Sequence, residues 1–413
     1  MTGDVVVTGV GIVAPGTAAP TGRSGGPRDI SSTGAPSGRS GGALDGPSAG
    51  VPSGTSGCPL DGLSAGVPSR TSGSAPGGRE SWFDVAAELG PRGYKYLPPA
   101  SQYLLAAARR AVAAAGGLEH AAPHRRAAAV GTNGALRAYF DDVDAKVTGG
   151  HSDDLSPAGA PYFAVNVLSG RLASEHLLKA FSLTLTSPRV AGFEAVETGA
   201  RALALGRADV LVAAAMEHGL PHHAPGLPME QGAVAIVLEP RARAEERGAV
   251  VLGTCFARAG FAPPGLAATS EGRRRLAEQV ERAAAELGAA DAEVYQVLDG
   301  SPVSRALEAA AGAVGLTVRP AVVAGGGCLA PSLLLARSFV PAERPRLVIT
   351  ATAEGNFALA GARPAPAHRE SRAPAHNESP APAHNESRAP GGRSPSGAGS
   401  SYRPPQPTGS QPC

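Results

Sequence analysis

The order of apolar and polar positions predicts alternating strands and helices along most of the chain. Short apolar runs, some alternating with polar residues, predict strands at 5–13, 126–131, 182–186, 209–215, 232–238 and 250–256. Helical periodicity with high alanine content predicts helices at 100–115 and from Ser187 to about Leu205. In the second of these helices, Ser187 is the expected N-cap, Pro188 takes the first helical position, and Gly206 ends the helix.

The same alternation continues through the second part of the chain. Helices are predicted at about 270–287 and 304–314, and strands at 293–298 and 321–324. The segments 345–352 and 357–360 are expected to form a closing hairpin. Strands that alternate with helices in this way indicate a layered α/β protein with much parallel sheet.

Two segments break the pattern because they contain almost no large apolar residue. Residues 17–79 are rich in Gly, Ser, Pro and Thr, and ALDGPSAGVPSGTSG at 43–57 recurs as PLDGLSAGVPSRTSG at 59–73. Residues 363–413 contain tandem octads such as APAHNESP, followed by a run of Pro, Ser and Gly. Such segments bury too little apolar surface to offset the entropy lost on ordering, so we expect a disordered insert and a disordered tail.

Composition and charge exclude several classes of function. The chain has 413 residues and a formal net charge of +2 without a block of like charge, so no nucleic-acid partner is expected. The cysteines Cys58, Cys255, Cys328 and Cys413 show no CxxC or Cys/His spacing, which argues against a disulfide framework or a metal site. Without a secretory leader or an apolar run of about 18 residues, the expectation is a cytoplasmic protein with no membrane span.

Several strings occur in an order that points to one family. VVVTGVGIVAPG forms the first strand and its exit, and AAAVGTNGAL the second strand. The long block from APYFAVNVLSG to VAAAMEHG and the string EQGAVAIVLEP follow. Together they resemble the β-ketoacyl-acyl carrier protein synthase family. The resemblance implies a thiolase-like, layered αβαβα fold with two pseudo-equivalent halves.

The resemblance also divides the chain. The N-terminal ketosynthase-like half covers 1–16 and 80–248, interrupted by the low-complexity insert at 17–79. The C-terminal ketosynthase-like half covers 249–362, and the tail covers 363–413. One connection between two strands of the first half is shorter in this chain than in the family. This shortening implies a reorganised pocket wall.

The sequence departs from the family at all three positions of its Cys-His-His catalytic set. Arg189 stands where active members hold a cysteine at the N-terminus of a helix. Asp299 and Cys328 stand where they carry the two histidines. A guanidinium stays protonated and cannot accept an acyl group as a nucleophile. We therefore assign no catalytic residue with this set.

These departures imply a subunit released from catalysis, resembling a chain length factor. Such a subunit pairs with an active β-ketoacyl synthase and shapes the acyl tunnel, and an acyl carrier protein is the second expected partner. Neither a cofactor nor a metal is expected. The resemblance places Tyr139, Phe140 and Asn166 near the acyl tunnel or the dimer interface. The product is a polyketide or a fatty acid, and the chain is expected to be inactive alone.

Other interpretations of the function stay open at this stage. The chain is alternatively an unusual acyltransferase or malonyl-thioester decarboxylase that acts on carrier-protein substrates, or a structural homodimer without enzymatic activity. Co-purification with an active synthase, turnover by the isolated chain, and self-association alone distinguish the three interpretations.

Individual residues also have two interpretations each. Arg189 and Asp299 are either unrelated surface residues or a buried ion pair that fills the old catalytic pocket, since either charge buried alone is unfavourable. Cys328 is either a relocated nucleophile or a small buried residue in a glycine-rich turn. His218, His222 and His223 suggest a metal or catalytic cluster, but loop histidines are common at surfaces. His368, His376 and His384 lie in an Ala-Pro spacer that offers no fixed metal geometry.

Overall fold

The computed structural model describes residues 5–16, 82–91, 93–94, 97–219, 229–339 and 344–366. The predicted insert, the tail from 367 onward, and the histidines His222, His223, His368, His376 and His384 lie outside these residues. The described strands are β1 Val5–Val13, β2 Arg126–Gly131, β3 Phe181–Leu185, β4 Val210–His218, β5 Gln231–Pro240, β6 Gly253–Phe261, β7 Glu293–Val297, β8 Thr317–Val318, β9 Arg346–Ala351 and β10 Asn356–Pro364.

Helices connect most of these strands. They are α1 Val85–Leu89, α2 Pro99–Ala114, α3 Arg137–Thr148, α4 Val167–His176, α5 Ala191–Ala204, α6 Arg241–Glu246, α7 Pro264–Ala267, α8 Ser270–Leu287, α9 Pro302–Ala313 and α10 Leu329–Ala336. Short 3₁₀ turns occur at Pro123–Arg125, Ser152–Asp154 and Pro157–Phe163. None of the helices in the described ranges is long and apolar enough to cross a membrane.

The strand order repeats itself in two halves. The strands form one sheet in the order β3-β2-β4-β5-β1-β6-β10-β9-β7-β8. The order of the second half mirrors that of the first, so that β1 to β5 correspond in turn to β6 to β10. β2 pairs parallel with β3 and β4, as β7 does with β8 and β9. β1–β5 and β6–β10 are both antiparallel, and a short β1–β6 contact joins the halves. The predicted pseudo-equivalent halves are confirmed.

Three apolar clusters define the layers of helix and sheet. One contains α2 and one face of the first-half strands, and another contains α8, α9 and one face of the second-half strands. The third lies between them and contains α5 and α10 with the inward faces of both halves. In β4, Val210 and Val212 face the outer cluster, whereas Leu211 and Ala213 face the middle one. The arrangement is αβαβα, which confirms the predicted fold class.

Glycines within β1 allow α2 to lie directly on the strand. A Cβ added to Gly9 would come within 2.1 Å of the Ala111 carbonyl oxygen, and one on Gly11 within 2.0 Å of that of Ala107. No side chain fits in this space, so glycine at these two positions is a packing requirement of the strand–helix contact.

Two predicted elements differ from the structure, and the other boundaries agree within a few residues. The predicted strand at 321–324 is wrong: the third strand of the second half is β8 at Thr317–Val318, and Val323 is 73% exposed. Pro320 has no N–H to donate to a neighbouring strand. The Val322 N–H donates to the Gln296 oxygen of β7, which is a single backbone hydrogen bond and not a strand pairing. The second difference is the start of α5, which lies at Ala191 and not Ser187. β10 continues through Pro364, past the predicted limit of 362.

Gly11→Ala tests the contact between β1 and α2. The new Cβ would overlap the Ala107 carbonyl, so we expect the free energy of unfolding to fall by about 1–3 kcal/mol. Chemical denaturation of purified protein measures this change. Gly170→Ala in α4 is the matched control, because a Cβ there meets nothing within 4 Å, and it should raise stability by up to about 1 kcal/mol. Equal effects of the two substitutions would contradict the packing argument.

Candidate functional site

A sharp turn between β3 and α5 carries Arg189. The backbone of Arg189 is left-handed, with φ of 62°, a conformation that non-glycine residues adopt only at a cost in free energy. Val190 N–H donates to the Pro188 oxygen at 2.7 Å, and Ala191 N–H to the Ser187 oxygen at 3.1 Å. The left-handed residue interrupts helical geometry, which is why α5 begins after it. Strained strand-to-helix turns of this kind position nucleophiles in several enzyme classes.

The Arg189 side chain lies in the interior and is only 5% exposed. Its Nη2 donates to the Gly325 oxygen at 2.9 Å, and its Nη1 approaches the oxygens of Val297 at 3.4 Å and Ala351 at 3.5 Å. Burial lowers the pKa of Arg189, whereas the nearby Asp299, Glu230 and Glu354 raise it. The guanidinium therefore occupies the pocket as a buried cation held by carbonyl oxygens.

The expected ion pair between Arg189 and Asp299 is not formed among the described residues. The Asp299 carboxylate accepts hydrogen bonds from Ser304 Oγ at 2.7 Å and from the N–H of Ser301, the N-cap of α9, at 3.0 Å. Partial burial opposes ionisation, but the hydrogen bonds from Ser304 and Ser301 hold the pKa of Asp299 below its usual range. Arg189 adds to this effect only through space. The helix end thus satisfies the carboxylate locally.

Cys328 is fully buried immediately before α10. Burial raises the pKa of its thiol well above the usual value, and the Glu217 and Glu230 carboxyls raise it further. A reactive cysteine needs the opposite, a pKa lowered by cations or helix N-termini. The thiol is therefore protonated, which supports the interpretation of Cys328 as a small core residue.

Two buried glutamates, which the sequence did not single out, surround Cys328. Glu217 at the end of β4 is fully buried, and its Oε1 accepts from the N–H groups of Cys328 at 2.9 Å and Asn133 at 2.8 Å. Glu230, just before β5, accepts from Gly327, Leu329 and Ala330 N–H groups at 3.0–3.1 Å. The sequence signal that could have identified them is an acidic residue beside each of two strongly apolar strands, near the end of β4 and just before β5.

The two carboxyls differ from surface glutamates in their ionisation. Burial, together with the Glu230 carboxyl, raises the pKa of Glu217 to about 7, although the N–H groups of Cys328 and Gly134 oppose the shift. Burial also raises the pKa of Glu230, and its backbone hydrogen bonds and Arg189 counteract this. The Glu217 carboxyl therefore binds and releases a proton close to neutral pH.

A half-open cavity of about 260 Å³ lies on the other side of the turn. Its walls are Thr132, Asn133, Ala135, Leu136, Arg137, Phe140, Val165 and Thr186. Of the three predicted tunnel residues, Phe140 lines the cavity. Tyr139 packs on Phe140, Tyr162 and Phe163 and donates to the Gly159 oxygen at 2.7 Å. Asn166 is exposed at the start of α4, next to the cavity residue Val165.

The remaining candidates make no site of their own. His218 lies at the end of β4, with its ring 6.0 Å from that of Tyr103. In the described part of the chain, no group of three His, Cys, Asp or Glu residues is arranged to hold a metal ion. At the three positions that the sequence analysis predicts for the catalytic set, the structure has a guanidinium bound by carbonyl oxygens, a carboxylate bound by Ser301 and Ser304, and a buried thiol with a raised pKa. None of the three is prepared to accept an acyl group.

Cys328 should resist alkylation in the native protein, because the thiol is buried and protonated. We expect iodoacetamide to modify Cys328 only after denaturation, as read by peptide mass mapping. Val250→Cys supplies the matched control, since position 250 is 68% exposed and a thiol there should react at once. Native modification of Cys328, or an acyl thioester mapped to it, would contradict this assignment.

Glu217 should make the protein less stable as the pH rises from about 4.5 to 7. The pKa of Glu217 is about 7 in the folded protein against 4.5 ordinarily, so the folded state keeps a proton that the unfolded chain releases. Its stabilising contribution, present in full below the lower value, is lost as the pH rises through the higher one, about 3 kcal/mol in total. Urea unfolding at a series of pH values measures this dependence.

Glu217→Gln should flatten that pH dependence, because the variant has no proton to release at this position. The control is Glu308→Gln on the exposed face of α9, which should leave the slope as in the wild type. An unchanged slope in Glu217→Gln would show that another group binds the proton.

Comparisons with known proteins agree with this architecture. Residues 66–244 match the family model for the β-ketoacyl synthase N-terminal domain. The match begins inside the predicted insert, whereas β1 precedes it and completes the sheet. No curated protein sequence matches the chain.

Two solved structures have the same fold at 21% sequence identity. One is a ketosynthase/chain length factor of ishigamide, with a TM-score of 0.55, covering 68% of this chain and 85% of that chain. The other is AntDE:AntF, a type II PKS acyl-carrier protein in complex with its ketosynthase bound to the hexaketide. Its TM-score is 0.52, and the match covers 68% of this chain and 88% of that one. The chain therefore matches the β-ketoacyl synthase N-terminal domain over residues 66–244 and shares the thiolase-like αβαβα fold of these two structures.

Proposed function

We propose that the chain is a non-catalytic ketosynthase-like subunit that pairs with an active β-ketoacyl synthase and shapes acyl chain length in polyketide or fatty acid biosynthesis. The observation that carries the proposal is the state of the nucleophile turn. Arg189 holds the strained position, and its Nη groups are directed at the backbone oxygens of Val297, Gly325 and Ala351. Chemistry must then come from a partner with an intact cysteine.

The structural relatives suggest which partners to test. One of them is a ketosynthase/chain length factor, and the other contains an acyl-carrier protein in complex with its ketosynthase. We extend both associations to this chain as part of the proposal. The partners are thus an active synthase subunit with the same fold and an acyl carrier protein.

An exposed apolar region next to the cavity supports pairing with another chain. Neither α3 nor β3 contains a buried residue, although each is a regular element within the fold. The large apolar side chains exposed in this region are Phe140, Val147, Phe163, Leu177 and Leu183. β3 also ends the described sheet, and an open strand edge is suited to pairing with another strand.

The cavity supports a role in holding an acyl chain. It is bordered by the exposed apolar region through Phe140, and by the nucleophile turn through Thr186. A partner that covered α3 and β3 would therefore close the open side of the cavity. A chain that began at the partner's nucleophile could then extend against Ala135, Leu136 and Phe140, and the size of these side chains would limit its length.

Reconstitution tests the proposal. The chain is expressed with a neighbouring-gene ketosynthase that has an intact cysteine and with its carrier protein, and malonyl-carrier consumption and product length are measured. We expect a heterodimer whose activity requires the partner's cysteine, and no turnover by this chain alone. Turnover by the isolated chain would favour an unusual acyltransferase or decarboxylase. Self-association without binding a synthase would favour a structural homodimer.

Cavity variants then test the control of chain length. Ala135→Phe should fill the cavity and shorten the product, whereas Phe140→Ala should enlarge it and lengthen the product by at least one extension unit. Val250→Phe, at an exposed position that does not line the cavity, is the control and should leave the product unchanged. A normal product from both cavity variants in an intact complex would refute chain-length control.

A further inference from the structure

We propose that Arg189, Glu217 and Glu230 form a charged clasp that fastens the two halves of the fold together through the backbone of residues 325–330. All three side chains come from the first half, and the groups in residues 325–330 that they bind belong to the second half. The proposal concerns the folding of this chain and is independent of the partner and product proposed above.

The cationic arm of the clasp is Arg189. Its guanidinium faces the oxygens of Val297 at the end of β7 and Ala351 at the end of β9, and it donates to Gly325 in the loop before α10. One side chain thereby gathers the ends of two strands and a loop of the second half. The Val297 oxygen also accepts from Thr350 Oγ1 at 2.9 Å, so Arg189 adds a second donor at that strand end.

The carboxyl arm of the clasp consists of Glu217 and Glu230. They accept the four consecutive N–H groups of Gly327, Cys328, Leu329 and Ala330, at 2.9–3.1 Å. These are the orphan donors at the start of α10, which carry the partial positive charge of the helix end. A Cβ on Gly327 would lie 2.8 Å from both Glu217 Cγ and Glu230 Oε2, so only glycine fits between the carboxyls.

Arg189 and Glu230, one from each arm, have opposite charges and act on one another through space. Both bind the same short loop: Arg189 donates to the Gly325 oxygen, and Glu230 accepts from the Gly327 N–H. Each is more than nine-tenths buried, and Arg189 favours the ionised form of Glu230. A buried charge without compensation is strongly destabilising, so the loss of either residue should harm the other.

The backbone of Arg189 is consistent with this function. A left-handed arginine is strained, and such strain persists only where the surroundings determine the conformation. Glycine would adopt the same φ without strain but would leave the carbonyl oxygens of Val297, Gly325 and Ala351 without the guanidinium. The strained residue is therefore retained for its side chain.

A double-mutant cycle tests the clasp. Arg189→Met and Glu230→Gln are made singly and together, and the unfolding equilibrium constant is measured by denaturant titration at pH 7. We expect each single substitution to raise that constant by at least about a hundredfold. The double variant should be far more stable than the product of the single effects predicts, because no buried charge is left alone. Multiplicative effects would overturn the proposal.

Milder substitutions keep the test decisive if a charge-neutral variant fails to fold. Arg189→Gly relieves the strained turn and Arg189→Ala does not, while both remove the guanidinium. We expect the glycine variant to be more stable than the alanine variant and less stable than wild type. A glycine variant as stable as the wild type would overturn the clasp, since Arg189 would then contribute nothing beyond strain. Arg189→Lys keeps the charge and should fall between wild type and Arg189→Ala.

Amide hydrogen exchange locates the effect. In Arg189→Gly and Glu230→Gln, exchange at Gly327 to Ala330 should accelerate by at least about tenfold more than at the core strand β4. Arg247→Met is the matched control, because Arg247 pairs with the buried Glu239 within the first half, at 2.5 and 2.9 Å. It should lower stability without selective exchange at residues 327–330. Equal exchange at these amides in the control and clasp variants would contradict an inter-half clasp.

Discussion

The structure depends on satisfying the backbone polar groups where α5 and α10 begin inside the molecule. Both helices lie in the middle layer, between the sheet strands of the two halves, and most residues of their first turns are buried. Glu217 and Glu230 accept the N–H groups at the start of α10, and Arg189 donates to the Gly325 oxygen in the loop before it. A buried helix end without such partners would be severely destabilising.

This constraint explains how a strained strand-to-helix turn can hold an arginine in the interior. The strained strand-to-helix turn, the glycine-rich loop before α10 and the buried carboxyls all persist around Arg189. In the family, a cysteine at such a turn would have a lowered pKa and carry the acyl group. Here the same position supplies a cation to backbone oxygens. The Cys328 thiol beside the carboxyls stays protonated, since neighbouring negative charge opposes its ionisation.

The surface around the turn has a different character from the pocket. α3 and β3 contain no buried residue, and large apolar side chains such as Phe140 are exposed in this region next to the cavity. Charged side chains occupy the interior beside the turn, whereas apolar side chains remain exposed on this surface.

The sequence by itself determined nine of the ten described strands, four of the ten described helices and the alternation of strands with helices. α2, α8 and β4 were predictable because periodicity and apolar runs are local signals that deep burial only reinforces. The family resemblance located Arg189, Asp299 and Cys328, since motif position requires no distances.

Only the tertiary structure decided how those residues are used. Asp299 was expected to meet Arg189. Its carboxylate instead accepts hydrogen bonds from the nearby Ser301 and Ser304, which requires no contact between distant parts of the chain. The partners of Arg189 are carbonyl oxygens far along the chain, which no side-chain pattern encodes. Glu217 and Glu230 look in the sequence like ordinary strand-end acids. They become central because folding buries both beside the same four amides, a convergence that arises when the two halves pack together.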